Sequence, residues 1–233
     1  MNLLLISNST NAGEQYLKYP INKIGEFLNG IGEVIFIPFA AVTFSYDEYE
    51  AKVQERFDEI GVKVRSIHKC ENPLEVVSSA EAICVGGGNT FALTKAMQEL
   101  GLVEAIAQRV KQGARYVGWS AGSNVTCPTL STTNDMPIVE PASFKLMGLV
   151  PFQINPHYLD ANPEGHAGET REQRIQEYIT ANQSVYVAGL REGCMLEYIG
   201  GKLSLIGPKS MRIFKYGEQP REVATGDDLS FLL

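Results

Sequence analysis

The chain has 233 residues, enough to bury a sizeable core as one large α/β domain or two small ones. Hydrophobic residues make up 44% and charged residues 20%, which excludes a disordered composition. With 27 acids against 20 bases the net charge is −7, which argues against nucleic acid or an anionic membrane as main partner, because both need a basic footprint. No apolar run approaches about 18 residues, so no transmembrane helix is expected. Met1–Ser7 lacks a basic leader and reads as a first strand, not a signal peptide. Cys70, Cys84, Cys127 and Cys194 are widely spaced without a C-x-x-C pair, so neither a disulfide framework nor a zinc site is expected. A reducing, cytoplasmic setting follows.

In chain order, Leu3–Ser7 is a short apolar strand running into the polar cluster Asn8–Asn11. Tyr16 to Leu28 has helical spacing closed by Asn29–Gly30. Glu33–Ile37 is a second strand stopped by Pro38. Asp47 to Ile60 reads as an amphipathic helix with Asp47 as N-cap and Gly61 at its end. Val62–Ile67 alternates like a third strand, and Pro73–Ser79 makes a short helix. Ala82–Val85 is a fourth strand that meets Gly86–Gly87–Gly88–Asn89–Thr90. Helices over Phe91–Leu100 and Leu102–Gln112 follow, then the apolar run Ala114–Trp119. Strands separated by helices imply βαβ units and a parallel sheet, with ligand crevices at the carboxyl ends of the strands.

Beyond that run the pattern loosens. Pro128–Pro141 is polar and turn-rich, and a strand within Leu149–Asn155 stops at Pro156–His157. Glu169–Ala181 is a helix, and Val185–Leu190 a strand ending at Arg191–Glu192–Gly193. Antiparallel strands Met195–Ile199, Lys202–Ile206 and Arg212–Tyr216 close the chain. No repeat or linker interrupts residues 1–233, so one domain is the simplest expectation.

The most informative stretch is Gly118–Trp119–Ser120–Ala121–Gly122. Gly-x-Ser-x-Gly after a buried strand is the pattern of a nucleophile elbow, where the chain turns sharply into a helix and exposes a hydroxyl. A serine needs a base, and only His68, His157 and His166 are available. His157, just past a strand end, is the first choice; His166 in the Pro163–Gly168 loop is the reserve, and His68 reads as a solvated loop residue. The third member is a carboxylate, Glu192 or Asp135, and residue spacing does not separate them. An oxyanion needs two N–H groups, supplied by Ala121 and by Gly88 of the glycine run. That run is neither a P-loop nor Gly-x-Gly-x-x-Gly, which disfavours nucleotide. A metal site from His157, His166, Glu164 and Asp160 lacks H-E-x-x-H spacing, so no metal and no other cofactor is expected. An α/β-hydrolase esterase would carry its histidine near the C-terminus, where this chain has none.

Five motifs in order carry a resemblance: Gly86–Thr90, Gly118–Gly122, Thr132–Ile138, Ile154–His157, and Pro163–His166 through Gly168–Glu172. With them the chain closely resembles the peptidase E family of α-aspartyl dipeptidases over essentially its whole length. The resemblance implies a flavodoxin-like, class I glutamine-amidotransferase-like three-layer α/β sandwich, with a mostly parallel central sheet. It implies a metal-free serine dipeptidase that cleaves dipeptides after an N-terminal aspartate; the oligomeric state is not carried over with it, and monomer or homodimer both remain open expectations. By matching position it makes Ser120 the nucleophile and His157 the base, with the third role given to either Asp135 or Glu192. Preference for aspartate calls for a guanidinium, and Arg171 is the best candidate, with Asn89 and Thr90 as further substrate contacts.

Overall fold

The computed structural model describes residues 1–160, 165 and 167–233. The strands are β1 (Asn2–Ile6), β2 (Glu33–Ile37), β3 (Lys63–Ser66), β4 (Ala82–Val85), β5 (Arg115–Trp119), β6 (Gln153–Tyr158), β7 (Val187–Arg191), β8 (Met195–Ile199), β9 (Lys202–Ile206), β10 (Met211–Phe214) and β11 (Arg221–Val223). The α-helices are α1 (Ile21–Phe27), α2 (Tyr46–Phe57), α3 (Pro73–Ser79), α4 (Thr90–Glu99), α5 (Leu102–Lys111), α6 (Ala121–Asn124) and α7 (Arg171–Ala181).

A seven-stranded sheet with order β3-β2-β4-β5-β1-β8-β9 forms the centre. Its first five strands are parallel, while β8 and β9 add antiparallel. The expected α/β architecture, a mostly parallel central sheet with C-terminal antiparallel strands, is what the chain adopts. Strand β1 shows why the interior strands read as unbroken apolar runs: Leu3 and Leu5 join one core and Leu4 and Ile6 the other, all fully buried. On one face α1 and α2 pack over Val34, Phe36, Val117 and Trp119. On the other face α3 and α5 and a second sheet share the larger core.

That second sheet, order β11-β10-β7-β6, was not expected. It takes β6 and β7, paired in parallel, and β10, which the sequence pattern had grouped with the closing hairpin. Helix α7 covers its outer face through Ile175 and Ile179 against Tyr158, Val187 and Phe214. Two helix starts also differ from expectation. Pro20 has no N–H to give, and α1 begins only at Ile21. Helix α2 is capped by Ser45, not Asp47, because Ser45 and Glu48 form a reciprocal capping box.

Candidate active site

Ser120 is the hinge between β5 and α6, and it sits at φ 53°, ψ −112°, a conformation sparsely populated for a residue with a Cβ. The glycines around it have a steric cause. A Cβ on Gly118 would lie 2.3 Å from Gly122 O, and one on Gly122 would lie 2.0 Å from Val85 O. The elbow therefore closes only because both positions lack side chains. Ser123 braces it, its hydroxyl bonded to Ile6 O at 2.8 Å or to Gly118 O at 2.9 Å.

The imidazole comes from the other sheet. Strand β6 does not stop at Pro156 but runs on to Tyr158. Its register against β7 shifts between Pro156 and Tyr158, so His157 is the extra residue of a β-bulge, at φ 53°. The bulge turns the ring toward the elbow, and His157 Nε2 lies 3.0 Å from Ser120 Oγ. On the far side of the ring, Nδ1 lies 2.7 Å from Glu192 Oε1, just past the end of β7. Ser7, fully buried at the end of β1, pins this bulge: its Oγ accepts the His157 N–H at 2.9 Å and donates to Leu190 O at 2.7 Å.

The two acids are placed differently. Asp135 is occupied elsewhere: its Oδ2 accepts the Thr90 N–H at 2.7 Å and the Thr90 hydroxyl at 2.6 Å. An oxygen so engaged ties the loop to the start of α4, and it is Glu192 that faces the imidazole. Asp135 still lines the cavity beside Ser120, which measures about 230 Å³ and also has Asn124, Thr133, Asn134, Pro156, His157 and Arg171 in its wall. Arg171, the first residue of α7, reaches it because Thr170 and Gln173 form a capping box that fixes the helix start. Arg171 Nη1 donates to Asn134 Oδ1 and has no carboxylate partner among the described residues. Burial, more than the neighbouring Arg174, holds its guanidinium below the usual arginine value, and Asp135 acts in the opposite sense.

The glycine run lies against the elbow. A Cβ on Gly87 would meet Ser120 Cβ at 3.0 Å, and Gly88, at φ 136°, passes so close to Ala40 that a Cβ would lie 2.2 Å from its carbonyl oxygen. The loop is fixed by Tyr49, whose hydroxyl donates to Gly87 O at 2.8 Å and accepts from Trp119 Nε1 at 3.2 Å. Burial pushes the Tyr49 phenol up to about 12, so it stays protonated as a donor. The N–H groups of Gly88 and Ala121 give no hydrogen bond among the described residues, the latter because the first amides of a helix have no partner within it.

Other expected residues lie apart. Asn89 is the N-cap of α4, accepting from Ala92 N–H and donating to Met136 O, and the Thr90 hydroxyl serves Asp135; neither is in the cavity wall. His68 belongs to a separate cluster, 2.6 Å from Ser66 Oγ and 3.2 Å from Asp47 Oδ1. His166 and Glu164 lie outside the described residues, and Asp160 pairs with Arg191 instead of joining His157. Ser7, Tyr49 and Asn124 were missed by sequence reasoning. Ser7 and Tyr49 act through contacts far along the chain, and no local pattern marks such partners.

Fold and site together define an α/β protein with a hydroxyl, an imidazole and a carboxylate aligned where two sheets meet, a set able to pass a proton between its members. The chain belongs to peptidase family S51, whose family model matches residues 3–206. It is 50% identical over 232 residues to peptidase E of Nostoc sp., covering 99% of this chain and 96% of that protein. It is 48% identical over 226 residues to peptidase E of Salmonella typhimurium, covering 97% and 99%. Among solved structures it resembles a peptidase from an acI-B1 Actinobacterium, with TM-score 0.72 at 17% identity over 99% of this chain and 96% of that one. A protein of Listeria monocytogenes assigned to peptidase E aligns with TM-score 0.64 at 23% identity, over 89% and 98%. At those identities the two structures speak for the fold alone.

Proposed function

We propose that the chain is a serine dipeptidase that hydrolyses dipeptides with an N-terminal aspartate through an acyl-enzyme on Ser120. The observation that carries this reading is the alignment of Ser120 Oγ, His157 and Glu192, at 3.0 and 2.7 Å, beside a small cavity walled by the Arg171 guanidinium, which has no carboxylate partner among the described residues. In this reading Ser120 Oγ attacks the aspartyl carbonyl carbon while His157 Nε2 takes its proton. Glu192 holds the Nδ1 proton and stabilises the imidazolium. The developing oxyanion is met by the Gly88 and Ala121 N–H groups. His157 then protonates the departing amine, the C–N bond breaks, and a water activated by the same ring releases aspartate and frees Ser120. Every proton transfer is made by these side chains and water, so the scheme calls for no cofactor.

Specificity follows from the cavity wall. Arg171 can fork two N–H groups onto the short β-carboxylate of aspartate, and a glutamate carboxylate would overrun it by one methylene. Asp135 brings negative charge to the same wall, suited to the substrate ammonium. Names of full-length relatives at 48–50% identity agree with peptide hydrolysis as the activity. The test is release of free aspartate from Asp-Leu, run beside Glu-Leu, Asn-Leu, Ala-Leu and a p-nitrophenyl ester. Asp-Leu is expected to be turned over fastest and Ser120→Ala to abolish the reaction. A Ser120→Ala protein keeping a tenth of the rate would show that this serine is not the nucleophile.

A further inference from the structure

Four buried side-chain atoms among the described residues have no hydrogen-bond partner: Thr94 Oγ1, Asn124 Oδ1, Gln153 Oε1 and Asn155 Oδ1. Of their residues, Asn124 alone is in the wall of the cavity beside Ser120. Asn124 is 1% exposed, and the orientation of its amide is dictated by chemistry. Ile154 O can only accept, so Asn124 turns Nδ2 toward it at 2.8 Å and Oδ1 away. That carbonyl also receives the Thr132 hydroxyl at 2.9 Å, so it keeps a partner without Asn124. What remains unexplained by the fold is the acceptor. A buried amide oxygen with no donor opposes folding, and such an atom at the edge of a cavity is accounted for when a ligand brings the donor.

We infer that Asn124 Oδ1 receives the N-terminal ammonium of the substrate, which makes Asn124 a specificity residue for a free amino terminus. The inference rests on the serine dipeptidase reading and adds to it. An aspartyl residue that acylates Ser120 offers the cavity a β-carboxylate and carbonyl oxygens, all acceptors. Its single donor is the α-ammonium, since the scissile N–H belongs to the leaving residue. The ammonium is two bonds from the carbonyl carbon that Ser120 attacks, and Asn124 is one helical turn beyond Ser120 on α6. Arg171 and Asn124 then sort the two ends of aspartate by opposite chemistry, a donor fork for the carboxylate and a directed acceptor for the amine. Asp135 supplies the charge and Asn124 the direction.

Binding of aspartate and of succinate, which lacks only the amino group, is measured by calorimetry on the wild-type chain and on Asn124→Leu. The ratio of the two affinities, taken on one preparation, is insensitive to a partly unfolded fraction, and Asn124→Ala serves as a second variant should leucine not fit. The wild type is expected to prefer aspartate by about tenfold, the scale of a hydrogen bond to a charged group, and the variants to reduce that preference at least threefold. A smaller reduction in both variants, or a wild type with no preference, overturns the inference. Hydrolysis of Asp-Leu by the wild type judges the dipeptidase reading separately, because the aspartate-to-succinate ratio does not depend on turnover.

Discussion

Removing one hydroxyl at the far end of the first strand should displace the His157 imidazole, the base of the proposed mechanism, through its main chain. Ser7→Ala deletes two hydrogen bonds, the one His157 N–H makes to Oγ at 2.9 Å and the one Oγ makes to Leu190 O at 2.7 Å. Both partners are main-chain groups of the second sheet, and Leu190 is fully buried, so the loss is about 2–4 kcal/mol once unmet polar groups are counted. The strand itself keeps its place, because Ser7 N–H still bonds Cys194 O at 3.0 Å. What gives way is the bulge. His157 holds φ at 53°, a conformation that costs about 1–3 kcal/mol and persists only while its surroundings impose it. A shift of the ring by about 1 Å is worth roughly 100-fold in rate. Steady-state kinetics on Asp-Leu should therefore show kcat lowered about 10- to 100-fold with KM changed little, alongside a lower melting temperature by circular dichroism. A variant that melts earlier but keeps kcat within about twofold of wild type would refute the reasoning, since Ser7 would then be mere glue between sheets.

Glu192→Gln should lose about 100-fold or more in kcat, as expected for a residue that sets the tautomer of the base, whereas Asp135→Asn should act mainly on KM; the reverse order would move the orienting role back to Asp135. For Arg171→Met, kcat/KM on Asp-Leu is expected to fall about 10- to 100-fold while the much slower rate on Ala-Leu stays put, and equal losses on both would take Arg171 out of the specificity pocket. Acid stability should depend on Glu222, whose carboxyl is held down to about 2 chiefly by Arg191, with Ser210 and Arg212 adding to it. Because its folded value lies below the ordinary one, its contribution is full above the ordinary glutamate range and is lost as pH falls toward 2. Melting curves across that window should fall less steeply for Glu222→Gln than for wild type, and parallel slopes would mean that the Arg191 pair contributes nothing.

How much of this was legible in the sequence depends on the range of the forces involved. The elbow was readable because its glycine pattern is local, Gly118 and Gly122 flanking Ser120, and a Cβ on Gly118 would strike Gly122 O at 2.3 Å, although the backbone that a Cβ on Gly122 would strike, at 2.0 Å, belongs to Val85. The parallel strands were readable because burial on both faces leaves unbroken apolar runs such as Leu3–Ile6. The cap of α2 is present in the sequence as Ser45-x-x-Glu48, but Asp47 is an equally good cap by type and only two residues away, so residue type alone does not choose between them. The strand expected within Leu149–Asn155 and stopping at Pro156–His157 instead covers Gln153–Tyr158, because the bulge carries the chain past the proline. The choice between Asp135 and Glu192 lay beyond any pattern, because both are loop acids, Glu192 just past β7 and Asp135 in the long segment between β5 and β6. What separates their placement is Thr90, 45 residues before Asp135, which bonds Asp135 Oδ2 while Glu192 faces the imidazole.

The hydroxyl and the imidazole–carboxylate pair stand on different sheets, and this is what the strand pattern alone hides. Ser120 ends β5 of the central sheet, while His157 and Glu192 belong to β6 and just past β7 of the smaller one. Neither sheet holds the full set, so the 3.0 Å contact between Ser120 and His157 measures how well the sheets are docked. Two side chains stitch that seam at the site itself, each from the central sheet or its helix into the smaller sheet. Ser7 reaches Leu190 and His157, and Asn124 reaches Ile154. Both residues directly engaged in the contact, Ser120 and His157, hold positive φ without being glycine. Strain on both sides of one interface is stable only if the interface itself is rigid, which the shared core of Ile154, Ala188 and Leu190 with Leu3, Leu5 and Val125 provides. Packing between the sheets is thus the step that turns two inert strand ends into a site able to do chemistry.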